Sequence, residues 1–344
     1  MRSIITALLL LLVASAPTVI PMVVAGRSGQ GFLSTRGTSI VDSTGQVVQL
    51  RGVNYPGYED TPPQGHSQST YSYLAQLGLN VVRLPISWAN LEPQPGVFDS
   101  QFLTWKIDED VVWAGIAGVR IILDMHQYYW AEKFGGSGAP AWSVQPYPPT
   151  QAGLHQAVSN FWADATLQDH LISVWKKVAQ HYANQPVIAG YDILNEPWVY
   201  ATVNPAVNAT SVDSFYMKAV QAIRQIDQNH LIFLEPANLN TFKLSAAANI
   251  VWSPHFYQLA FTSRYYPQNF TILESDFEAK YKTFVQGLNA PMWIGEFGAF
   301  MPDKSSRTEW ARDALKLFNG YNIGWAWWAF DGTGQLPSPL YSGA

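Results

Sequence analysis

The 344-residue chain has no cysteine, little charge and no run of like charge, and each shortage removes a class of protein. Without cysteine there is no disulfide framework, so a small stapled scaffold is excluded and the fold must be stable on its own core. Charged residues make up only 13% of the chain, against roughly a quarter in an average domain. The net charge of -5, with Lys and Arg scattered, leaves no footprint for nucleic acid. A neutral or weakly charged ligand suits such a surface. What the chain has is apolar material: 48% hydrophobic and 14% aromatic residues suffice for one large core or two modest ones. Single barrels of about 250 residues are common.

Long hydrophobic runs are also scarce, with one exception at the N-terminus. Met1-Arg2 is followed by "IITALLLLLVASAPTVIPMVVAG", which reads as a secretory signal with a small-residue cleavage site at Val23-Val24-Ala25. The run from Ile4 to Ala25 also approaches the ~20 residues of a spanning helix, so an uncleaved membrane anchor is the alternative. Pro17 and Pro21 weaken that helix and favour the signal. The expectation is a signal peptide or anchor over 1–25 and a single secreted domain over 26–344, with membrane contact only through an uncleaved N-terminus. The sequons at Asn208 and Asn269 are of a kind that arises often by chance.

From Val47 onward, β-branched and aromatic runs alternate with stretches of helical period. The strand candidates are "VVQLRGVN", "NVVRLPIS", "VRIILDMHQ", "IAGYDILNEP", "LIFLEPAN", "NIVWSPHFY", "PMWIGEFG" and "IGWAWWAF". Between them lie amphipathic segments such as "LISVWKKVAQHYA" and "RTEWARDALKLFN". Eight such units predict an α/β fold, the TIM (β/α)8 barrel, with reactive groups at the C-terminal strand ends. Gly26 to Gln46 is expected as a lead-in covering the barrel floor. Two irregularities stand out. The residues after Phe330 are too short and too rich in Gly and Pro to supply an eighth helix, so the final helix is expected to be missing or truncated. The long connection after the third strand, rich in aromatic residues, is expected to line a ligand cleft, or else to pack its rings on itself.

The fourth strand runs into Asn195-Glu196-Pro197 and the seventh into Gly295-Glu296-Phe297-Gly298. Two strand-end glutamates would face each other across the barrel mouth. The proline ends the ladder after Glu196, and the glycines leave room around Glu296. Paired carboxylates in a cleft suit glycosidic bond cleavage, in which one serves as acid and the other as an anion that attacks or supports an oxocarbenium-like carbon. Mutual repulsion should raise the proton affinity of one, while donors and a cation keep the other ionised.

"LRGVNYPG", "VVRLPISW", "ILDMHQ", "ILNEPW", "VWSPHFY", "WIGEFG" and "GWAWWAF" together resemble glycoside hydrolase family 5, the cellulase family of the large retaining barrel clan. The similarity covers Leu50 to Phe330. It implies that Glu196 is the general acid/base and Glu296 the nucleophile. It further implies that Arg83 helps keep the nucleophile ionised, that Asn195 bonds the sugar 2-hydroxyl, and that Tyr257 lies near the nucleophile. His126 and His255 would stand near the sugar and the acid/base, and Trp328, or its neighbour Trp327, would be the platform under the sugar ring. No cofactor and no metal are implied, and the chain has no His-x-His.

Plainer readings exist for several of these. Arg83 is also suited to a structural ion pair inside the barrel, and a strand-end histidine is often a satisfied core residue. The tryptophans of "GWAWWAF" would bury some rings in any case. Asp124 and Asp192 are expected in inward layers, Glu235 outside the sugar-contacting set, and Glu92 in a loop. The resemblance implies a retaining endo-acting β-glycosidase, with a β-linked oligo- or polysaccharide as partner and endo-β-1,4-glucanase the leading activity. Endo-β-mannanase and glycolipid-cleaving activity are the alternatives. The loop "DMHQYYWAEKFGGSGAPAWSV" resembles that of endoglycoceramidase-like members, except that Tyr128 stands where they usually have Asp. An inactive carbohydrate-binding barrel would keep the aromatics without needing both glutamates, Arg83 and Tyr257.

Overall fold

The computed structural model describes residues 31–197, 209–236, 248–261, 266, 270–282 and 289–330. The segment 1–25, both sequons and the residues after Phe330, where a final helix was expected to be missing, lie outside the described residues.

A short antiparallel hairpin, β1 (Ser34–Arg36) and β2 (Ser39–Val41), precedes the main sheet. Eight parallel strands follow: β3 (Arg51–Asn54), β4 (Val81–Ile86), β5 (Arg120–Met125), β6 (Ile188–Asp192), β7 (Leu231–Leu234), β8 (Ile250–Trp252), β9 (Trp293–Phe297) and β10 (Gly324–Trp327). Their order is β8-β7-β6-β5-β4-β3-β10-β9. The two edges meet through parallel bridges at Trp252–Met292 and Phe256–Phe297, so the sheet closes into a TIM barrel. Closure lets successive residues alternate between lumen and helix layer.

Around it lie α1 (Gln68–Gln76), α2 (Asp108–Ala117), α3 (Gln151–Ala163), α4 (Ala165–Tyr182), α5 (Ala209–Arg224), α6 (Phe270–Phe277) and α7 (Lys304–Gly320). Several start where a side chain satisfies an orphan amide: Asp164 accepts from Thr166, and Asp303 from Ser306. At their far ends, Gly78 and Gly118 take positive φ values that release the chain into β4 and β5.

The lumen has two layers of opposite character. The lower is dry, built from Val81, Ile122, Leu231, Phe233, Val251 and Trp293, and the hairpin plugs it with Leu33 and Ile40. Arg120 ties the plug in by donating to the Gly31 carbonyl at 3.0 Å. This is the floor cover expected of the lead-in. One pleat higher the lumen turns polar, with Asn54, Arg83, Asp124, Asp192, Glu235 and Ser253 all buried.

The regular strands are shorter than the runs that signal them. β6 ends at Asp192 and β8 at Trp252, so Asn195, Glu196 and His255 sit beyond the ladder on rim backbone. Single backbone bonds to the neighbouring strands continue past Asp192, from Ile193 to Phe233 and from Asn195 to Met125, and Pro197 follows the last of them by two residues. Arg83, expected at the end of its strand, is instead in the middle of β4 and points into the barrel.

The long connection after β5 is folded. Tyr128 and Ser137 pair as an antiparallel bridge, which Gly136 permits, since a Cβ there would meet the Tyr128 carbonyl at 1.6 Å. Most of its rings pack inward: Trp130 lies against Phe161, and Trp142 against Trp88. Tyr128 and Tyr129 stay exposed. Glu92 is in a loop as expected, but buried, bonding His170, the Trp88 indole and the Gly96 amide.

Candidate active site

Arg83 is fully buried at the centre of the upper layer, and its guanidinium organises everything around it. Nε donates to Asp192 at 2.9 Å, and Nη1 to Glu296 at 2.8 Å and Asn54 at 3.0 Å. Nη2 donates to Asn195 at 3.0 Å and Glu235 at 3.2 Å, with Asp124 at 2.9 Å. Only a planar fork reaches so many acceptors from one stem. Arg83 thus makes both the ion pair with Glu296 and the structural pairs with the inward aspartates. Asn54, Gln127 and Ser253 were not singled out from sequence. Period-two alternation along β3 and β8 would have flagged Asn54 and Ser253 as polar residues at the level of Arg83.

Glu296 is 5% exposed. Its Oε1 takes the Arg83 bond and its Oε2 accepts from the Tyr257 hydroxyl at 2.9 Å. Burial and the Glu296 charge push the Tyr257 phenol well above its usual range, so it remains a donor. Gly295 makes room, although for a different neighbour than expected: a Cβ there would stand 2.8 Å from Ser253 Oγ and 3.2 Å from His255 Nε2.

Across the mouth, Glu196 has φ +44°. A residue before proline normally keeps to extended backbone, and a non-glycine in the left-handed region costs on the order of 1–3 kcal/mol. The conformation is held from three sides. Glu235 Oε2 accepts the Glu196 N–H at 2.8 Å, while the Gln127 amide donates to the Asn195 carbonyl at 3.0 Å and the Glu196 carbonyl at 3.3 Å. Asn195 completes the clamp, its side-chain amide donating to the Gln127 carbonyl at 3.0 Å.

His255 links the two sides. Nδ1 is 2.8 Å from Glu196 Oε1 and 3.5 Å from Glu296 Oε2, and Nε2 is 3.1 Å from Glu235 Oε1. One donor atom each of Glu196, His255 and Glu296 fall within 4.8 Å of one another, a spacing also open to a cation. Here the three are held to each other directly.

His126 bonds Asp124 at 2.7 Å, and its ring stacks on Trp328 with centroids 5.2 Å apart and planes at 9°. Of the two tryptophans, Trp328 is therefore the one beside His126. Trp327 turns the other way, edge-on to Phe297 and beside α7.

The division of protonation differs from expectation. Burial works to raise the Glu196 carboxyl, but the bond and charge of His255, with His126 and Arg83 behind it, hold it below the ordinary range. The raised carboxyls are deeper. Burial pushes Glu235 up to about 8 and Asp192 up to about 6, Arg83 opposing both. Glu235, expected outside the sugar-contacting set, stands behind it and contacts the Glu196 N–H, Arg83 and His255. Burial disfavours charge on His255, yet Glu235, Glu296 and Glu196 outweigh it and raise that imidazole well above its usual value.

The sequence model of cellulase (glycosyl hydrolase family 5) matches residues 41–334. The chain belongs to glycosyl hydrolase family 5. An endoglucanase of Paenibacillus polymyxa is 26% identical, the match covering 90% of this chain and 82% of that one. Two solved structures superpose closely on this family 5 barrel. A crystal structure of endogalactoceramidase matches with TM-score 0.76 at 28% identity, over 87% of this chain and 74% of that one. Endo-glycoceramidase II from Rhodococcus sp., solved as a lactosyl-enzyme intermediate, matches with TM-score 0.72 at 26% identity, over 87% and 76% of the two chains. Like its relatives in family 5, the chain is an endo-acting glycoside hydrolase.

Proposed function

We propose that the chain hydrolyses a β-glycosidic bond with retention of configuration, Glu296 attacking the anomeric carbon and Glu196 serving as acid and then base. The observation that carries this reading is the approach of the two carboxylates, whose nearest oxygens lie within 4.8 Å. Retention requires carboxyl groups ~5–5.5 Å apart, whereas inversion needs ~6.5–9.5 Å to admit a water. That the Rhodococcus relative was solved as a lactosyl-enzyme intermediate supports the same course. Arg83 and Tyr257 donate to the two oxygens of Glu296, which favours the attacking anion. Attack gives a glycosyl-enzyme as Glu196 protonates the leaving oxygen; Glu196 then deprotonates the water that releases the sugar. In this reading Asn195 and His126 bond hydroxyls of the sugar at the cleavage point, and Trp328 carries its apolar face.

Glu196→Gln and Glu296→Gln should each remove most turnover of barley glucan while oligosaccharide binding persists, and unchanged hydrolysis in either would refute the assignment. NMR of the first-formed anomer tests retention separately.

A second reading of the leaving side, a glycolipid, is favoured by the rim. Phe261 is 62% exposed and stacks on Phe300 at 4.6 Å, beside Tyr257, and Tyr128 and Tyr129 are exposed after β5. Such rings suit an apolar tail as well as a sugar face. The two solved relatives are an endogalactoceramidase and an endo-glycoceramidase. A panel of barley glucan, carboxymethylcellulose, mannan, xylan and a glycosphingolipid separates the readings. Export is proposed from the apolar N-terminal segment, and N-terminal sequencing of protein recovered from the medium tests it.

A further inference from the structure

Glu235 has no part in the two-carboxylate scheme, yet its side chain touches three groups of the site, as many as Glu296 does. Oε2 takes the Glu196 N–H, while Oε1 faces Arg83 Nη2 at 3.2 Å and His255 Nε2 at 3.1 Å. The backbone carbonyl of Glu235 accepts from the Tyr216 hydroxyl of α5 at 3.0 Å, and that of His255 from the Tyr281 hydroxyl at 2.9 Å. The remaining charged neighbours are Asp192 on β6, Asp124 on β5, and Glu196 and Glu296 through His255.

The donor and acceptor pattern restricts where protons can sit. The Glu196 amide and the Arg83 guanidinium are permanent donors, so neither accepts a proton from Glu235. The one acceptor open to a protonated Glu235 carboxyl is the Nε2 lone pair of a neutral His255. Either Glu235 is an anion facing an imidazolium, or it is an acid facing a neutral ring. The two states hold the same number of protons, and both keep Nδ1–H on Glu196. They differ in whether a positive charge stands beside Glu196.

We propose that Glu235 is a positioning residue for the reaction: it holds Glu196 in its left-handed conformation through the backbone N–H, and it shares one proton with His255 so that the charge beside Glu196 can change between the two half-reactions. This rests on the reading of Glu196 as acid/base. The transfer is internal and balanced: the Nε2–H bond breaks and an Oε1–H bond forms, with no outside reagent. With the proton on His255, Glu196 is favoured as the carboxylate that accepts a proton from water. With it on Glu235, Glu196 is favoured as the acid that protonates the leaving oxygen. The 3.1 Å separation is that of a hydrogen bond, while Nε2 is not aligned for one. Catalytic hydrogen bonds commonly tighten only when substrate is bound. The raised proton affinity of both groups fits a pair that keeps its proton through neutral pH.

The test is Glu235→Gln, assayed on soluble β-glucan across pH. The amide oxygen can still accept the Glu196 N–H, but the side chain cannot hold the shared proton. Without the carboxylate opposite Nε2, burial makes His255 neutral more readily, and Glu196 loses the cation that holds it low. The alkaline limb of kcat/KM should move up by roughly one pH unit, the size an opposite charge at close range confers. Turnover should fall at least tenfold with little change in KM. An alkaline limb that superimposes on wild type, or moves down, overturns the proposal, as does unchanged turnover. Should the variant not fold, 15N NMR of histidine-labelled wild-type protein decides, with the His255 signal assigned by its loss in His255→Asn. A shared proton predicts an Nε2 shift between the protonated and neutral limits that stays constant between pH 5 and 8, whereas an ordinary titration refutes it. Glu196→Gln separates the two layers of reasoning. If that variant keeps wild-type turnover, the acid/base reading has failed; if it is inactive while Glu235→Gln shows the wild-type profile, only the shared proton has.

Discussion

Replacing Arg83 by lysine tests whether one guanidinium holds the upper barrel together. The charge is kept, so any loss comes from geometry. Arg83 has six polar side chains within 3.2 Å, namely Asp192, Glu296, Asn54, Asn195, Glu235 and Asp124. An ammonium has three donors on a flexible stem, so at least half of these contacts go unserved. Each hydrogen bond to a charged group is worth about 1.5–3 kcal/mol, and a buried charge that loses its partner costs about 3–5 kcal/mol. Since the lysine retains part of the attraction, Arg83→Lys should destabilise the fold by about 3–5 kcal/mol, a large share of the 5–15 kcal/mol typical of a domain. Urea unfolding of wild type, Arg83→Lys, Asp192→Asn and the double variant measures both the loss and the Arg83–Asp192 coupling. The coupling should reach about 1–3 kcal/mol, as for residues in one buried network. A loss under about 1 kcal/mol with coupling below about 0.5 kcal/mol would show that the fork is not what organises this layer.

Tyr257→Phe removes one donor from Glu296, so kcat/KM on soluble β-glucan should fall by roughly 10–100-fold, the value of a hydrogen bond to a charged group. The pH profiles of kcat and kcat/KM should differ. Burial is the largest influence on Glu196 and acts to raise it, and its side chain is still 23% exposed. A bound sugar deepens that burial, so the alkaline limb of kcat should lie above that of kcat/KM; coincident limbs would contradict this. Asp227, 1% exposed below the barrel, is held down to about 2, burial being overcome by His230 and the Tyr191 hydroxyl. Its folded value is depressed, so its contribution is present above the unfolded value and is lost as pH falls toward 2. Asp227→Asn should cost about 2 kcal/mol at pH 7, and the difference should close as unfolding is followed down to pH 2.

The barrel was legible because short β-branched and aromatic runs, buried on both sides as strands, alternate with helical stretches, and closure follows once there are eight. The meeting of rim residues was legible where it depends on residue type, as at Glu196, Glu296, Tyr257 and His255. What escaped depends on three-dimensional accounting. Glu235 looked peripheral because nothing in "LEPAN" says that the next strand end will leave an amide and an imidazole nitrogen facing it. The left-handed turn at Glu196 runs against the preference of a residue before proline, so local propensity pointed away from the conformation the site uses. The aromatic loop after β5 divides its rings: Trp130 and Trp142 pack inward, and Tyr128 and Tyr129 face out. Composition cannot divide one run of rings between those tasks.

The protonation of the upper layer explains why the lower one is built as it is. Asp124, Asp192, Glu196, Glu235 and Glu296 surround one arginine and two histidines. Two of these acids, Asp192 and Glu235, have folded values raised to about 6 and about 8. For a raised carboxyl the stabilising contribution is complete only below the unfolded value and is lost as pH rises through the folded one. At neutral pH the layer that does the chemistry therefore weakens the fold, as active sites commonly do. Compensation has to come from somewhere that does not titrate. The dry lower layer and the Leu33–Ile40 plug are that place, burying large apolar side chains worth roughly 1.5–3 kcal/mol each directly beneath the charges. The hairpin is thus tied to catalysis without touching substrate: the barrel floor lets the mouth hold more carboxylates than cations.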